Sequence, residues 1–445
     1  MKATGFVPTK ATVAAMALGV CIRLVVIPLG SGTERFSNID TESYAEVARR
    51  MPTVLWAPDQ AILDYSLQRT PVYPTFMWLV GGGGVNLTAT VVVQCVIGGA
   101  VNVWLCAVLG RRIFGRSAGV AAAFVLALDP ISIGHSLLVG TETIFTTTVL
   151  LGVLAVERAW ALRTAPLPQA ALMMVAGLLI GVGALTRPAL LFLAPVVAVV
   201  WVLAVRTKAA VVRALMVVAS AALLIGLWYV RNEQATGTWL FSTAQGQNLF
   251  DYGAAAKASE EGLLRFGMTQ PDEANTTLTD AGIRLAAEHP GEIDMADVVA
   301  RDAAWQRIGV EAIREHPRGY LTVAVQSLAK TVAGPGHSLL LQEAGQSQRG
   351  VVAGLTRGAA VCLLAVDYLL AAVGGGVLVR RRRWATITLL ALPVVYYLGI
   401  SAGPQMYARF RVPIMPLVAV VAGGGFVRTL SWVGHRSRSR TESDS

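Results

Sequence analysis

The chain of 445 residues is 54% hydrophobic and only 14% charged, whereas soluble proteins carry about a quarter charged residues. This composition excludes an ordinary soluble enzyme and indicates a protein built largely of membrane-spanning helices. The net charge of +10 does not indicate nucleic-acid binding, because no basic face with interleaved aromatic residues accompanies it. The four cysteines lie in apolar runs without the spacing of a zinc site or a disulfide framework.

About ten apolar runs are long enough to cross a bilayer, which takes roughly 20 residues of helix. In chain order they are Ala11–Leu29, Val85–Leu109, Ala118–Leu138, Glu142–Ala161, Ala170–Leu185, Ala189–Val205, Val211–Val230, Val351–Val379, Ala385–Ile400 and Val412–Val427. The first run has no small-residue cleavage site before the acidic loop that follows it. We therefore expect a retained helix at this position, not a signal peptide.

Basic residues alternate regularly between the two ends of these runs. Short basic loops stay in the cytoplasm, so Lys2 and Lys10 predict an inside N-terminus, and the arginines at 380–383 and in the tail predict an inside C-terminus. The same count predicts that the loops after the odd-numbered spans lie outside. Because the usage of alanine, valine and arginine is typical of a bacterium of high GC content, the expected location is the bacterial plasma membrane.

The spans divide the chain into four predicted parts. Residues 1–230 form an N-terminal transmembrane module of seven spans, and its first outer loop, 31–72, carries Tyr44, Val47, Ala48 and Met51 at helical spacing. That spacing predicts an amphipathic helix on the membrane surface. Residues 231–350 form a larger outer segment with helices, residues 351–435 form a module of three spans, and residues 436–445 form a polar, disordered tail.

Acidic and basic side chains collect at the predicted outer face. They are Asp40 and Glu42 in the first loop, Arg69 at its end, Glu142 at the start of the fourth span, Arg187 between the fifth and sixth, Arg231 after the seventh, and Arg409 and Arg411 before the tenth. Charges beside spans are costly and usually mark function. A carboxylate can take the proton of a hydroxyl nucleophile, and the arginine fork suits a phosphate. Sugar transfer from a polyprenyl-phosphate donor uses both, at a membrane interface.

The order of these residues resembles the GT-C superfamily of membrane glycosyltransferases, over roughly residues 23–424. The motifs that carry the resemblance are the acidic first loop, Arg69-x-Pro-x-Tyr73-Pro, Glu142 opening a span, Thr-Arg187-Pro, Trp-Tyr-x-Arg231-Asn, and Arg409-x-Arg411-x-Pro-x-x-Pro. The protein O-mannosyltransferases and the bacterial enzymes that attach aminoarabinose to lipid A are the most similar groups. The resemblance implies an all-α, polytopic bundle and an inverting transfer of sugar to a hydroxyl acceptor of a lipid, polysaccharide or protein.

Roles for single residues follow from the resemblance. Family members use an aspartate of the first outer loop as catalytic base or acceptor-orienting group, which corresponds to Asp40, and a second acid at the start of an early span, which corresponds to Glu142. Arg409 and Arg411 would hold the donor phosphate, with Arg69, Arg187 or Arg231 as further candidates. Tyr44 and Tyr73 would line the sugar pocket.

Several alternatives stay open at the level of sequence. Relatives carry an adjacent acidic pair in the first loop, whereas this chain has Asp40-Thr41-Glu42, so either acid is a candidate base. Asp40 is also suited to cap the surface helix, a role compatible with that of a base. The use of a divalent cation, the sugar and the acceptor are not determined. A transporter, a lipid flippase or a non-catalytic membrane subunit would also be polytopic, although a transporter is expected to carry its charges near the bilayer middle.

Overall fold

The computed structural model describes residues 7–29, 36–56, 63–162, 164–264, 271–347 and 349–443, and these residues form helices without strands. In chain order the helices are α1 (Lys10–Val26), α2 (Thr41–Arg49), α3 (Thr53–Trp56), α4 (Leu63–Gln68), α5 (Val72–Val80), α6 (Leu87–Val96), α7 (Val103–Phe114), α8 (Arg116–Leu128), α9 (Pro130–Ser136), α10 (Glu142–Ala161), α11 (Pro166–Ala184), α12 (Leu193–Val205), α13 (Lys208–Thr236), α14 (Ala244–Glu260), α15 (Pro271–Ala287), α16 (Val298–Glu315), α17 (Pro317–Ala333), α18 (Ser338–Glu343), α19 (Val351–Arg380), α20 (Trp384–Ser401) and α21 (Met415–Ser443).

The described part of the chain contains nine helices that are long and apolar enough to cross a membrane, or ten when the bent pair α8 and α9 counts as one span. The second of them joins α6 to α7 through a π-helical turn, Ile97–Asn102. The prediction of an all-helical, multi-pass membrane protein with about ten spans is confirmed. The seventh span is longer than expected, because α13 continues to Thr236. Arg231, predicted to follow this span, therefore lies inside its last turns.

The third predicted span is broken in the middle. Helix α8 ends at Leu128 and α9 begins with Pro130, at an angle of 57°. The Asp129 carboxylate accepts the N–H of Ser132 at 3.0 Å and caps α9, and proline is well placed at the first position of a helix because it has no N–H to satisfy. The bend turns α9 and residues 137–141 toward the end of the bundle where α10 begins.

Small residues let the spans approach one another closely, as is usual for helices packed within a membrane. A side-chain carbon on Gly99 would lie 2.6 Å from the carbonyl carbon of Gly19, so α1 touches the π-helical turn through bare backbone. A side-chain carbon on Gly425 would lie 1.9 Å from the carbonyl oxygen of Leu370, which brings α21 against α19. Glycine is required at both contacts.

The helix predicted in the first loop is present as α2, and its apolar face is buried within the protein. Tyr44, Val47 and Ala48 are buried, whereas Glu42 and Arg49 are exposed on the other face. Helix α2 packs against α5 at one end of the bundle, which we call the site face. At the opposite end, the basic face, Arg112 pairs with Glu157.

The helices α14 to α18, here called the interspan segment, pack on the site face. Phe250, Ala254, Leu285, Ile308 and Ala312 form a small apolar core between α14, α15 and α16. The segment also contacts the bundle directly, since Thr331 of α17 donates a hydrogen bond to the carbonyl of residue 407 at 3.1 Å. The interspan segment therefore has a core of its own and is joined to the loop before α21.

Candidate active site

Asp40 lies at the site face, in the turn before α2. Its backbone N–H donates to the Asn38 side-chain oxygen at 2.8 Å, and the Asn38 amide donates to the carbonyl of Val139 at 2.7 Å. These bonds fix the turn against the segment that leads to α10. The Asp40 carboxylate makes no capping hydrogen bond to α2. Helix capping therefore does not explain the acid at this position.

Two arginines from distant parts of the chain bind the Asp40 carboxylate. Arg69 Nη2 lies 2.7 Å from Oδ1, and Arg409 Nη1 lies 3.3 Å from Oδ2. The side chains of all three residues are 17–21% exposed. Burial by itself would raise the pKa of Asp40, but the charges of Arg69 and Arg409 outweigh it and hold the pKa below its usual value. The carboxylate is ionised at neutral pH.

Glu142, in the first turn of α10, shares Arg409 with Asp40 and also pairs with Arg187. Its carboxylate is buried, and a single oxygen, Oε1, lies 2.8 Å from Arg187 Nη1 and 3.2 Å from Arg409 Nε. Arg409 therefore bridges the two acids. We call Asp40, Glu142, Arg69, Arg187 and Arg409 the charge cluster. Its three cations and two anions leave a net formal charge of +1, which suits one further anionic ligand.

Aromatic rings surround the guanidinium groups of the charge cluster. The Arg69 guanidinium lies 4.7 Å from the ring centre of Tyr44, and that of Arg187 lies 5.1 Å from the ring centre of Phe410. Arg409 lies 5.7 Å from the same Phe410 ring. Such contacts stabilise partly desolvated cations and limit the orientations that the arginines can adopt.

Tyr73 supports the segment that precedes Glu142. Its ring is fully buried and meets Tyr44 edge to face at 5.0 Å. The Tyr73 hydroxyl accepts the N–H of Gly140 at 2.7 Å and is hydrogen-bonded to Gln94, whose amide donates to the carbonyl of Leu138 at 2.9 Å. Both hydrogen-bonding directions of this hydroxyl are thus used within the protein.

Three of the residues predicted from the sequence lie apart from the charge cluster. The Glu42 side chain is 71% exposed and pairs with Arg49 at 2.9 Å. Arg231 is buried and donates to the carbonyl of Val54 at 2.6 and 3.1 Å, which attaches the first loop to α13. Arg411 is buried, and its Nη1 donates to the carbonyls of residues 331, 332 and 334 at 2.7–3.1 Å, at the C-terminal end of α17.

Two further side chains lie beside the charge cluster although the sequence did not single them out as site residues. His135 on α9 and Tyr397 on α20 are both buried, and the charges of Glu142, Arg187 and Arg409 act on both. No spacing rule joins them to Glu142. His135 reaches this position only through the bend at Pro130, and Tyr397 comes from a span far along the chain.

The interspan segment contacts both loops that supply arginines to Asp40. Gln68, next to Arg69, donates to Gln247 of α14 at 3.0 Å. One turn further along α14, Asp251 accepts a hydrogen bond from Gln405 of the loop that carries Arg409. Because residues four apart share a helix face, one face of α14 binds both loops.

The donor groups of the site do not fit a divalent cation as they stand. Among the described residues, no group of three or more histidine, cysteine, aspartate and glutamate side chains could hold a metal ion. Asp40 and Glu142 each already bind two guanidinium groups. A cation that used Asp40 would compete with Arg69 and Arg409, which occupy both of its carboxylate oxygens.

An apolar cavity of about 720 Å³ adjoins the charge cluster. It lies between α10, α11, α12 and α20 and reaches from Phe145 and Tyr397 at the site face to Trp384 and Arg383 at the basic face. The Arg187 guanidinium lies 5.9 Å from the ring centre of Phe145. The cavity thus extends along the spans and ends next to an arginine of the cluster.

Comparisons with known proteins agree with this architecture. Residues 68–230 match the family model described as dolichyl-phosphate-mannose-protein mannosyltransferase. The chain resembles the oligosaccharyltransferase AglB of Archaeoglobus fulgidus in complex with an inhibitory peptide and a dolichol-phosphate, with 15% identity and a TM-score of 0.51, over 97% of this chain and 51% of that one. For the apo form of the Archaeoglobus fulgidus oligosaccharyltransferase, the identity is 14% and the TM-score 0.52, over 98% and 52% of the two chains.

A third structure, ArnT from Cupriavidus metallidurans bound to undecaprenyl phosphate, is 13% identical with a TM-score of 0.41, over 94% of this chain and 78% of that one. No curated protein matches the chain. The chain spans about half the length of the archaeal enzyme. The resemblance to the GT-C superfamily is confirmed by the family-model match and by the fold.

Proposed function

We propose that the chain is an inverting membrane glycosyltransferase that moves a sugar from a polyprenyl-phosphate donor to a hydroxyl acceptor at the non-cytoplasmic face. One observation carries the proposal. A cluster with two carboxylates and three arginines adjoins the end of an apolar cavity that runs along the spans. Such a site offers a base, an anion site and room for a lipid chain within one region.

The donor would bind across the boundary between the cavity and the cluster. Its polyprenyl chain would lie in the apolar cavity, and its phosphate would bind Arg187 and Arg409, whose forks suit phosphate oxygens. The net charge of +1 favours that anion. The dolichol-phosphate in the matched AglB structure supports a donor of this class.

The transfer is a single displacement. As the acceptor oxygen bonds to the anomeric carbon, the bond between that carbon and the phosphate oxygen breaks, and polyprenyl phosphate leaves. The acceptor proton passes to a carboxylate oxygen of Asp40. Because its pKa is low, Asp40 is a weak base, so it orients the hydroxyl first and takes the proton as the hydroxyl becomes acidic during bond formation. Arg187 and Arg409 stabilise the charge on the departing phosphate.

The orientation in the membrane rests on the basic loops. Arginines and lysines are expected on the cytoplasmic side, and residues 380–383 at the basic face are four consecutive arginines. The site face then looks away from the cytoplasm. A protease or membrane-impermeant label applied to intact cells tests this, since residues of the interspan segment should react and the loop at 380–383 should not.

Release of polyprenyl phosphate from a labelled donor tests the function. The purified protein in lipid nanodiscs is offered polyprenyl phosphates of several sugars together with saccharide, lipid and peptide acceptors. We expect release that depends on both donor and acceptor, and its loss in Asp40→Asn. A flippase, a transporter or a non-catalytic subunit would release no polyprenyl phosphate, and that outcome would refute the proposal.

A further inference from the structure

We propose that His135 recognises a hydroxyl group of the transferred sugar through its Nε2 atom. This inference rests on the proposed function and concerns the choice of sugar, which the charge cluster does not determine. The residue lies outside the set that binds Asp40 or the donor phosphate.

The position of His135 is set by the break in the third span. Helix α9 begins at Pro130 under the cap of Asp129, and its last residue, Ser136, donates to the carbonyl of Ile133 at 2.7 Å. His135 itself is only 4% exposed. The ring therefore has little freedom to move toward solvent.

The Nε2 atom of His135 has no hydrogen-bond partner among the described residues, although it is completely buried. Buried polar atoms in folded proteins are almost always paired, and an unpaired one calls for an explanation. Catalytic or binding roles are a recurrent explanation, because a ligand then supplies the missing partner.

The charged groups that act on His135 are those of the charge cluster. They are Glu142, Arg409 and Arg187. Glu142 does not satisfy the ring, because no hydrogen bond joins its carboxylate to Nε2. His135 is thus next to the acid and the two arginines that would hold the sugar phosphate, while remaining unbonded to them.

A sugar hydroxyl fits this place better than the phosphate does. The arginines already supply the positive charge that a phosphate requires. A hydroxyl can both donate and accept, so it pairs with Nε2 in either tautomer of the neutral imidazole. The sugar would be attached to the phosphate at Arg187 and Arg409, and the charges of these two arginines act on His135. We therefore assign His135 to the recognition of a hydroxyl group on the donor sugar.

A comparison of monodeoxy donors tests the assignment. Wild-type protein is first offered short-chain polyprenyl phosphates of mannose, glucose, galactose and arabinose, and the sugar that is transferred sets the monodeoxy series. We expect one monodeoxy donor to lose about tenfold in kcat/KM, the scale of one neutral hydrogen bond. His135→Phe should lose about tenfold in kcat/KM with the parent donor. With that monodeoxy donor its kcat/KM should fall no further, because the same contact is already missing.

Two controls separate this role from a structural one. His135→Gln keeps a hydrogen-bonding group and should retain part of the discrimination, which also covers the case in which the phenylalanine variant does not fold. His316→Phe makes the same replacement in the interspan segment, where His316 pairs with Glu260 at 3.1 Å, and should discriminate as the wild type does.

Several results would overturn the assignment. If every monodeoxy donor lost the same factor in kcat/KM with the wild type, Nε2 would contact no sugar hydroxyl. The same conclusion would follow if His135→Phe lost a further tenfold in kcat/KM with the monodeoxy donor. Weaker binding of sugar-free polyprenyl phosphate to His135→Phe would assign the residue to the phosphate instead. Failure of the wild type to transfer any of the four sugars would count against the proposed function, and is thereby distinguished from failure of this inference.

Discussion

Exchange of the two acids of the first loop for their amides separates their roles. The helix rotates by about 100° per residue, so Asp40 and Glu42, two positions apart at the start of α2, point to opposite sides. Asp40→Asn removes the group that takes the proton and the negative charge that pairs with both Arg69 and Arg409. A general base contributes about 10²–10⁴-fold, which corresponds to about 3–5 kcal/mol of the barrier. We expect a loss of that size in kcat.

Glu42→Gln should behave differently. The Glu42 side chain is 71% exposed and its partner Arg49 is 47% exposed, and exposed pairs contribute about 0–1 kcal/mol. We expect turnover within about twofold of wild type and an unchanged unfolding temperature, because solvent screens this pair.

The assay is release of labelled polyprenyl phosphate in nanodiscs at saturating acceptor, with thermal unfolding measured in parallel. Both amide variants must unfold cooperatively for the comparison to hold. Near-wild-type turnover of Asp40→Asn, or an equal loss in Glu42→Gln, would refute the reasoning that assigns the proton to Asp40.

Four other substitutions address the remaining parts of the site. Burial raises the pKa of Asp40, whereas Arg69 and Arg409 lower it. Arg69→Gln should therefore raise the pKa of Asp40 and move the acid limb of the pH profile of kcat/KM to higher pH. An acid limb at the wild-type pH would contradict this. Arg411→Met removes a donor from three carbonyls at the end of α17, of which that of Thr331 is in a buried hydrogen bond and that of Val332 keeps Tyr368 as a donor. It should lower stability by about 1–3 kcal/mol, measured by denaturant unfolding, whereas Arg409→Met should stay folded and lose turnover. Gly152 lines the cavity, and a side-chain carbon there would meet no atom within 4 Å. Gly152→Leu should raise KM about tenfold for long-chain donors and leave the KM of short-chain donors unchanged. Equal effects on both kinds of donor would argue against a lipid chain in the cavity.

Hydropathy and charge predicted the spans well because a bilayer imposes length and composition on each helix. The same periodicity cannot detect a local break. The run Ala118–Leu138 is apolar enough on average to be read as one span, yet Asp129 and Pro130 divide it into α8 and α9 at 57°. Hydropathy therefore predicts a single span at this run, although the Asp-Pro pair is the signal that marks the bend.

The sequence predicted the general location of Arg409 and Arg411 but not their different roles. Arg409 and Arg411 fall within one 3₁₀ turn, Ala408–Arg411, in which successive side chains rotate by about 120°. Two positions therefore separate their directions widely, and Arg409 reaches the two carboxylates while Arg411 binds the end of α17. The spacing of the two arginines predicts their different directions only if the turn is known to be 3₁₀, and the type of turn depends on packing against α17.

A single helical turn outside the spans contacts both loops that supply arginines to Asp40. Gln247 and Asp251 of α14 bind the loops that carry these arginines, and four residues of helix measure about 6 Å. One residue inserted between them would rotate the second contact by about 100° and lengthen the gap by about 1.5 Å. The number of residues between Gln247 and Asp251 should therefore stay constant, whereas the exposed surface of the interspan segment can vary freely. Grafts that exchange the segment between proteins should keep that number or lose the pairing of base and phosphate ligands.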